Sequence, residues 1–307
     1  MAGKNDIKEI LSAVRVGKIL YDEPMSRYTS LGVGGKADAL VFIENEDDLA
    51  QVVRILREKK KDFFTAGNLT NVIVRDSGYR GAILLMTGIK EVSCERQKEH
   101  GAFIDAQAGA SLAKVVSRSV AEELTGLEFC AGIPGSVGGA VWMNAGAYGR
   151  EMKDVVRSVT ILDAEGIRKV INREAISFSY RKTSFPPGTI VLGARFELEK
   201  GERFQIKEKI NEILQLRQGK HPLEFPSAGS VFKNLPGLPA GKLIEEMGLK
   251  GTTAGGAQIS SKHANFIINR GGATAADIMA LIELVQAKAR KEKNLKLETE
   301  VVIIGEN

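Results

Sequence analysis

Between Gly126 and Gly149 the chain reads GLEFCAGIPGSVGGAVWMNAGAYG, with Gly132, Gly135, Gly138 and Gly139 around Pro134, then Asn144, Gly146 and Gly149. A packed core does not need glycine at that density, and each one costs backbone entropy on folding. Such a run permits close backbone approach, with N–H groups converging on an anion such as a pyrophosphate. Tight turns between strands explain one or two of these glycines and explain the whole run poorly. A phosphate-bearing cofactor is the leading expectation. A second stretch, Gly67-Asn68-Leu69-Thr70-Asn71, follows a predicted strand at 63–66 and combines glycine with short polar side chains suited to an anion-binding turn. Alone, it reads better as a plain Asx-turn; beside the 126–149 run, the balance moves toward cofactor binding. A third stretch is a decoy. Gly32-Val33-Gly34-Gly35-Lys36-Ala37 matches the GxGxxG/A fingerprint, but that motif needs a strand before it and a helix after it. Here a polar Arg27-Tyr28-Thr29-Ser30 precedes and an apolar strand at 39–43 follows.

Composition narrows the chemistry. With 307 residues, 43% hydrophobic and 26% charged, the chain is long enough for two or three domains and excludes disordered or fibrous classes. No stretch reaches the roughly 18 apolar residues of a membrane span, and MAGKNDIKEILSAV lacks a signal-peptide core, so a cytoplasmic location is expected. The two cysteines, Cys94 and Cys130, have no CxxC spacing, which fits a reducing compartment. His100, His221 and His263 are isolated, so no metal cluster is expected. The 43 Lys and Arg exceed the 38 Asp and Glu by a net +5, spread along the chain with few aromatics. Nucleic acid is therefore not the expected partner, and an anionic small molecule is.

The elements that must position these stretches follow from periodicity. A short helix (Ile7, Ile10, Leu11, Val14), a strand at 39–43 and an amphipathic helix at 46–60 open the chain. Short strands are expected at 63–66, 72–74, 82–86 and 103–108, and a helix at 111–124. A hairpin at 155–162 and 167–171 and a strand at 189–198 come next. Helices at 203–218, 240–247 and 275–292 (N-cap Thr274) surround a strand at 265–269, and a closing strand is expected at 298–304. The expected division is 1–86, 87–202 and 203–307.

The motifs, taken in order, resemble one family. They are Thr29-Ser30-Leu31-Gly32-Val33-Gly34-Gly35, Gly67-Asn68-Leu69-Thr70-Asn71, Gly132-Ile133-Pro134-Gly135-Ser136-Val137-Gly138-Gly139-Ala140 and Met143-Asn144-Ala145-Gly146-Ala147-Tyr148. Further on come Tyr180-Arg181-Lys182-Thr183-Ser184-Phe185, Ala228-Gly229-Ser230-Val231-Phe232-Lys233-Asn234, Lys262-His263-Ala264-Asn265-Phe266 and Leu297-Glu298-Thr299-Glu300-Val301. Together they resemble the flavin-dependent UDP-N-acetylenolpyruvoylglucosamine reductases of bacterial peptidoglycan synthesis, in the shorter subtype lacking an inserted tyrosine-bearing loop. Leu69 departs from the family, which commonly has a small residue there.

The resemblance implies an α+β fold: two FAD-binding subdomains of the PCMH/vanillyl-alcohol-oxidase type, with the FAD region at about 29–198, plus a C-terminal α+β substrate domain. It implies FAD as cofactor and NADPH as co-substrate, with no nucleic-acid or membrane partner. Gly67, Asn68, Leu69, Thr70 and Asn71, and Gly132, Ile133, Pro134, Gly135, Ser136, Gly138 and Gly139, would hold the pyrophosphate, while Asn144, Gly146 and Ala147 would lie near the flavin. The resemblance further implies that NADPH would reduce the flavin, which would pass hydride to the enolpyruvyl β-carbon, with charge then spreading toward the carboxylate. Arg181 would clamp that carboxylate, Ser230 would protonate the α-carbon with help from Lys233, and Glu300, protonated or coupled to Arg181, would polarise the carboxylate. Tyr148, Lys233, Asn234 and Gln258 would contact the substrate. By residue type alone, Arg181 reads as a surface ion-pair partner, Ser230 as a turn hydroxyl and Glu300 as an exposed strand carboxylate. His263 reads as structural and Cys130 as a small buried hydrophobe. No obvious covalent flavin attachment site stands near 66–75 or 130–149. Two alternatives stay open: another flavin oxidoreductase on the same scaffold, and a non-catalytic nucleotide-sugar binder.

Overall fold

The structure, a computed structural model, describes residues 4–97 and 101–306; His100 lies outside them. The chain forms two units, each discontinuous in sequence. The first takes the chain to Leu20, Ala39–Asn68 and Ala82–Arg217; the second takes Tyr21–Asp38, Leu69–Gly81 and Gln218 onward.

The first unit is built on an antiparallel sheet in the order Arg168–Asn172, Val156–Leu162, Ile190–Lys200, Ala102–Gln107, Val92–Arg96, with Leu124–Thr125 on the end of Ile190–Lys200. The central strand Ile190–Lys200 is buried over its first half, as a strand flanked on both edges should be. Val159, Ile104 and Phe196 pack against Leu112, Val115, Val137 and Val141 of the two covering helices. One of these helices, Leu112–Ala121, is capped by Ser111 and was legible from its apolar spacing. The other, Val137–Trp142, lies inside the glycine run, where the sequence reading placed no helix. Its two glycines carry poor helix propensity, and packing overrides that. A separate parallel pair joins Phe63–Ala66 to the Ala82–Leu85 stretch. The helix Glu46–Glu58 starts at Asn45, whose side chain accepts from the Asp48 N–H, with three acidic residues in its first turn.

The second unit carries an antiparallel sheet in the order Ser227–Ser230, Phe266–Asn269, Ala257–Ile259, Thr253–Ala254. The helices Ala240–Glu246 and Ala275–Lys293 close over a core of Phe232, Leu243, Ile244, Ile278, Leu281, Ile282 and Val285. Thr274 and Asp277 form a capping box on the long helix, and Asn294 ends it in the left-handed conformation. The closing strand is shorter than the 298–304 expected: Val302–Ile304 pairs in parallel with Val72–Val74. Residues 298–301 sit outside the strand because their backbone bonds go elsewhere. Glu298 O accepts from Lys233 N, and Glu300 N donates to Val231 O.

Candidate functional site

In the first unit the two glycine stretches meet. A Cβ built on Gly67 would lie 2.0 Å from Ser136 Oγ and 2.7 Å from Ser136 Cβ, so only hydrogen fits there. Ser136 is itself the N-cap of Val137–Trp142, its Oγ accepting from Gly139 N at 3.4 Å. The N–H groups of Val137 and Gly138 donate to the carbonyls of Ala110 and Ala108, and a Cβ on Gly138 would come 2.9 Å from Ala108 Cβ. This corrects one expectation: Gly138 does not present its N–H to an anion, and its small size serves close packing instead. Gly132 (φ +71°) and Gly135 (φ +146°) do need glycine's backbone range. Ile133 N–H closes the turn onto Cys130 O, with Pro134 following.

One residue escaped sequence reasoning. A Cβ on Gly132 would meet Arg217 Cδ and Nε, each at 2.9 Å, so this arginine lies against the glycine run. Burial lowers its guanidinium below the ordinary arginine value, and a side-chain hydrogen bond with Tyr148 works in the opposite direction. Nothing in its local spacing marks it, since Gln-Leu-Arg-Gln reads as a helix surface. Cys130 is 1% exposed, and burial pushes its thiol well up, so it is no thiolate nucleophile.

Arg181 occupies the turn of a tight hairpin, Phe178–Ser179 with Lys182–Thr183, in the left-handed conformation (φ +53°). That conformation is unfavourable for a residue with a side chain and marks a constrained position. The hairpin is docked on the glycine-run helix: Thr183 Oγ1 donates to Val141 O at 2.9 Å, and Phe185 stacks on Trp142 at 5.6 Å. Arg181 itself donates to Gly146 O at 2.8 Å and lies 4.0 Å from Glu151. Gly146 pairs with Glu151, and Ala147 with Arg150, in a second small hairpin; a Cβ on Gly146 would clash with Arg150 O at 2.4 Å. Asn144, fully buried and also left-handed (φ +47°), spends its side chain on the protein. It donates to Glu151 Oε2 and Ser179 O and accepts from Lys153 N, all at 3.0 Å.

The second unit gathers Ser230, Glu300, Thr70 and Asn71. Ser230 ends the strand paired with Phe266. The next residue, Val231, accepts the Glu300 N–H at 2.7 Å, which sets Glu300 beside that strand end. Asn71 Nδ2 donates to Glu300 O at 3.0 Å, and Ser30 Oγ donates to Thr70 O at 3.1 Å. Leu69 is 3% exposed and left-handed (φ +50°), a backbone conformation that is unfavourable for a residue with a side chain. Asn265 pins the strand from the other side, its amide bonding both N–H and C=O of Phe232 at 2.9 and 2.8 Å.

The expected substrate contacts are partly committed elsewhere. Lys233 Nζ reaches Glu298 at 3.3 Å, Asn234 Oδ1 accepts from Ala240 N at 2.9 Å, and Gln258 Nε2 donates to Gly251 O at 3.1 Å. Tyr148 is exposed and left-handed (φ +53°). His263 accepts from Asn265 N through Nδ1 and packs on Phe266, a structural placement. Among the described residues, no cluster of His, Cys, Asp or Glu could hold a metal ion, and no helix is long and apolar enough to cross a membrane.

Close glycine loops with a half-buried arginine against Gly132 suit a dinucleotide with a diphosphate. A family profile described as an FAD binding domain matches residues 37–171, so the class is that of the FAD-binding flavoproteins. A second profile, the C-terminal domain of UDP-N-acetylenolpyruvoylglucosamine reductase, matches residues 221–304. The chain is 50% identical over 301 residues to the reductase of that name from Syntrophus aciditrophicus (strain SB), covering 98% of this chain and 96% of that protein. It is 44% identical to that of Caldanaerobacter subterraneus subsp. tengcongensis, covering 98% and 97%. Among solved structures, the UDP-N-acetylenolpyruvylglucosamine reductase from Thermus caldophilus superposes with a TM-score of 0.80 at 34% identity, covering 95% of this chain and 99% of that one. The chain belongs to the UDP-N-acetylenolpyruvoylglucosamine reductase family, the FAD-dependent oxidoreductases that use NADPH to reduce the enolpyruvyl sugar nucleotide in peptidoglycan synthesis.

Proposed function

We propose that Arg181, Ser230 and Glu300 carry the substrate chemistry of this reductase, and that the loops at 67–71 and 132–139 hold FAD. Bound FAD supplies the hydride acceptor and donor that no side chain can provide. Gly67 and Ser136 bring the two loops to contact, and Arg217 supplies a fixed cation beside Gly132 to offset a diphosphate. On the substrate, the planar guanidinium of Arg181 suits the carboxylate of the enolpyruvyl group, whose charge rises when hydride adds at the β-carbon. Ser230 then donates the proton to the α-carbon, and Glu300 polarises the carboxylate. Serine is a weak acid, so its proton moves only because negative charge builds on the carbon that receives it. Lys233, Asn234, Gln258 and Tyr148 contribute to sugar-nucleotide binding, and the cytoplasm, which supplies NADPH and keeps thiols reduced, is the fitting compartment.

The observation that supports pairing Ser230 with Glu300 is the 2.7 Å bond from Glu300 N to Val231 O, which holds Glu300 next to Ser230 although the two are far apart in sequence. Ser230→Ala tests them. NADPH should still bleach the flavin of the variant at the wild-type rate, while reoxidation by the enolpyruvyl substrate falls by on the order of 10²-fold or more. Reoxidation at the wild-type rate would remove Ser230 from the reaction.

A further inference from the structure

Arg181 does not hold itself in place. It sits at the tip of a tight hairpin, in a left-handed backbone conformation, with a side chain that is largely buried. Two groups on a separate segment brace it. Glu151 Oε1 lies 4.0 Å from the Arg181 guanidinium, and the Gly146 carbonyl that accepts from Arg181 Nη2 belongs to the residue paired with Glu151. Glu151 is in turn fixed on every side. Its carboxylate accepts from Asn144 Nδ2 at 3.0 Å and pairs with Lys153 Nζ at 2.6 Å. It also takes the Asp154 N–H in a capping box, while Asp154 accepts the Glu151 N–H at 2.8 Å. Asn144 connects the two ends of the brace, because its other donor bond goes to Ser179 O, in the strand leading into the Arg181 turn.

We propose that Glu151, oriented by Asn144, is a positioning residue that sets the direction and mobility of the Arg181 guanidinium. The pairing is loose at 4.0 Å, and Glu151 already shares its charge with Lys153, so the attraction steers the guanidinium without neutralising it. A guanidinium free of this brace gains rotamers and loses the alignment that a planar carboxylate clamp needs. Asn144 is fully buried, and with its amide engaged at three bonds it acts through Glu151 and the hairpin.

The proposal rests on the reading of Arg181 as the carboxylate clamp, and the two can fail separately. The experiment uses the FAD-loaded enzyme and follows the two half-reactions by stopped-flow flavin absorbance, in Glu151→Gln, Arg181→Lys and the double variant. Glu151→Gln should leave flavin reduction by NADPH within about twofold and slow reoxidation by the enolpyruvyl substrate by on the order of tenfold. The double variant should be no slower than Arg181→Lys alone, because lysine lacks the planar fork whose alignment the brace sets. A purely structural role would instead lower FAD occupancy and thermal stability and slow both half-reactions alike. If Arg181→Lys is impaired while Glu151→Gln is not, the brace is wrong and the clamp stands. If Arg181→Lys reoxidises normally, the clamp reading falls and the brace falls with it. Multiplicative losses in the double variant would show Glu151 acting independently of Arg181 and also overturn the proposal. Should Glu151→Gln not yield flavin-bound protein, Glu151→Asp, which keeps the charge but shortens the reach, makes the same comparison with the same expected loss.

Discussion

Gly67 shows how far single atoms decide this site: its missing Cβ is the space that Ser136 occupies. Gly67→Ala should weaken FAD binding about tenfold or more, the equivalent of ~1.4 kcal/mol, as read by flavin fluorescence titration. An unchanged FAD affinity would mean that the two loops do not jointly hold the cofactor. A second residue-scale expectation concerns pH. Burial, reinforced by Lys250 and Lys220 and opposed by a backbone hydrogen bond and Glu245, holds the His263 imidazole below its ordinary value of 6.5. The unfolded chain then takes up this proton more readily than the folded one. His263 therefore makes its full contribution above pH 6.5, and that contribution is lost as pH falls toward the lower folded value. Urea unfolding midpoints should drop over that interval, and His263→Gln should flatten the slope. What was legible at this scale was uneven. Arg181, Ser230 and Glu300 carry no spacing signal, because they come from a hairpin tip, a strand end and a bend far apart in the chain. Only the ordered set of motifs around them pointed there. Glu151 and Arg217 carried no signal at all, since a lone charged residue gains meaning only from what it packs against.

Elements governed by local rules were read well from sequence, and those governed by tertiary contacts were not. The helix Ala275–Lys293 announced itself through Thr274 and Asp277, and the structure contains that capping box. Thr274→Ala should lower the unfolding free energy by about 1 kcal/mol, measured by urea denaturation. The helix Val137–Trp142 was hidden by its two glycines, and its starting N–H groups are satisfied by Ala108, Ala110 and Ser136. The 298–304 strand was overextended in the sequence reading, because alternation alone cannot show that the backbone of 298 and 300 bonds to 233 and 231. Asn265 matters at the same scale. Replacing it by alanine leaves a buried N–H and a buried C=O of Phe232 without their partners. Asn265→Ala should cost ~1–3 kcal/mol per orphaned group, and should slow turnover by loosening the strand that bears Ser230.

Across the whole molecule, the division of the chain could not be read from composition shifts. Each unit gathers segments distant in sequence, as when Val72–Val74 pairs in parallel with Val302–Ile304. The fold class was legible because an FAD-binding domain and the reductase family's C-terminal domain each carry their own motifs, matched at 37–171 and 221–304. Cofactor and fold are linked: at 100 times its dissociation constant, FAD should add ~2.7 kcal/mol to stability, seen as a rise in Tm on reconstitution. The flavin reductase activity toward an enolpyruvyl sugar nucleotide can be checked in one anaerobic titration of the purified, FAD-loaded protein. NADPH should bleach the oxidised flavin spectrum stoichiometrically, and UDP-N-acetylglucosamine enolpyruvate added afterwards should restore it in full without oxygen. A flavin that stays reduced when the enolpyruvyl substrate is added would rule out this activity.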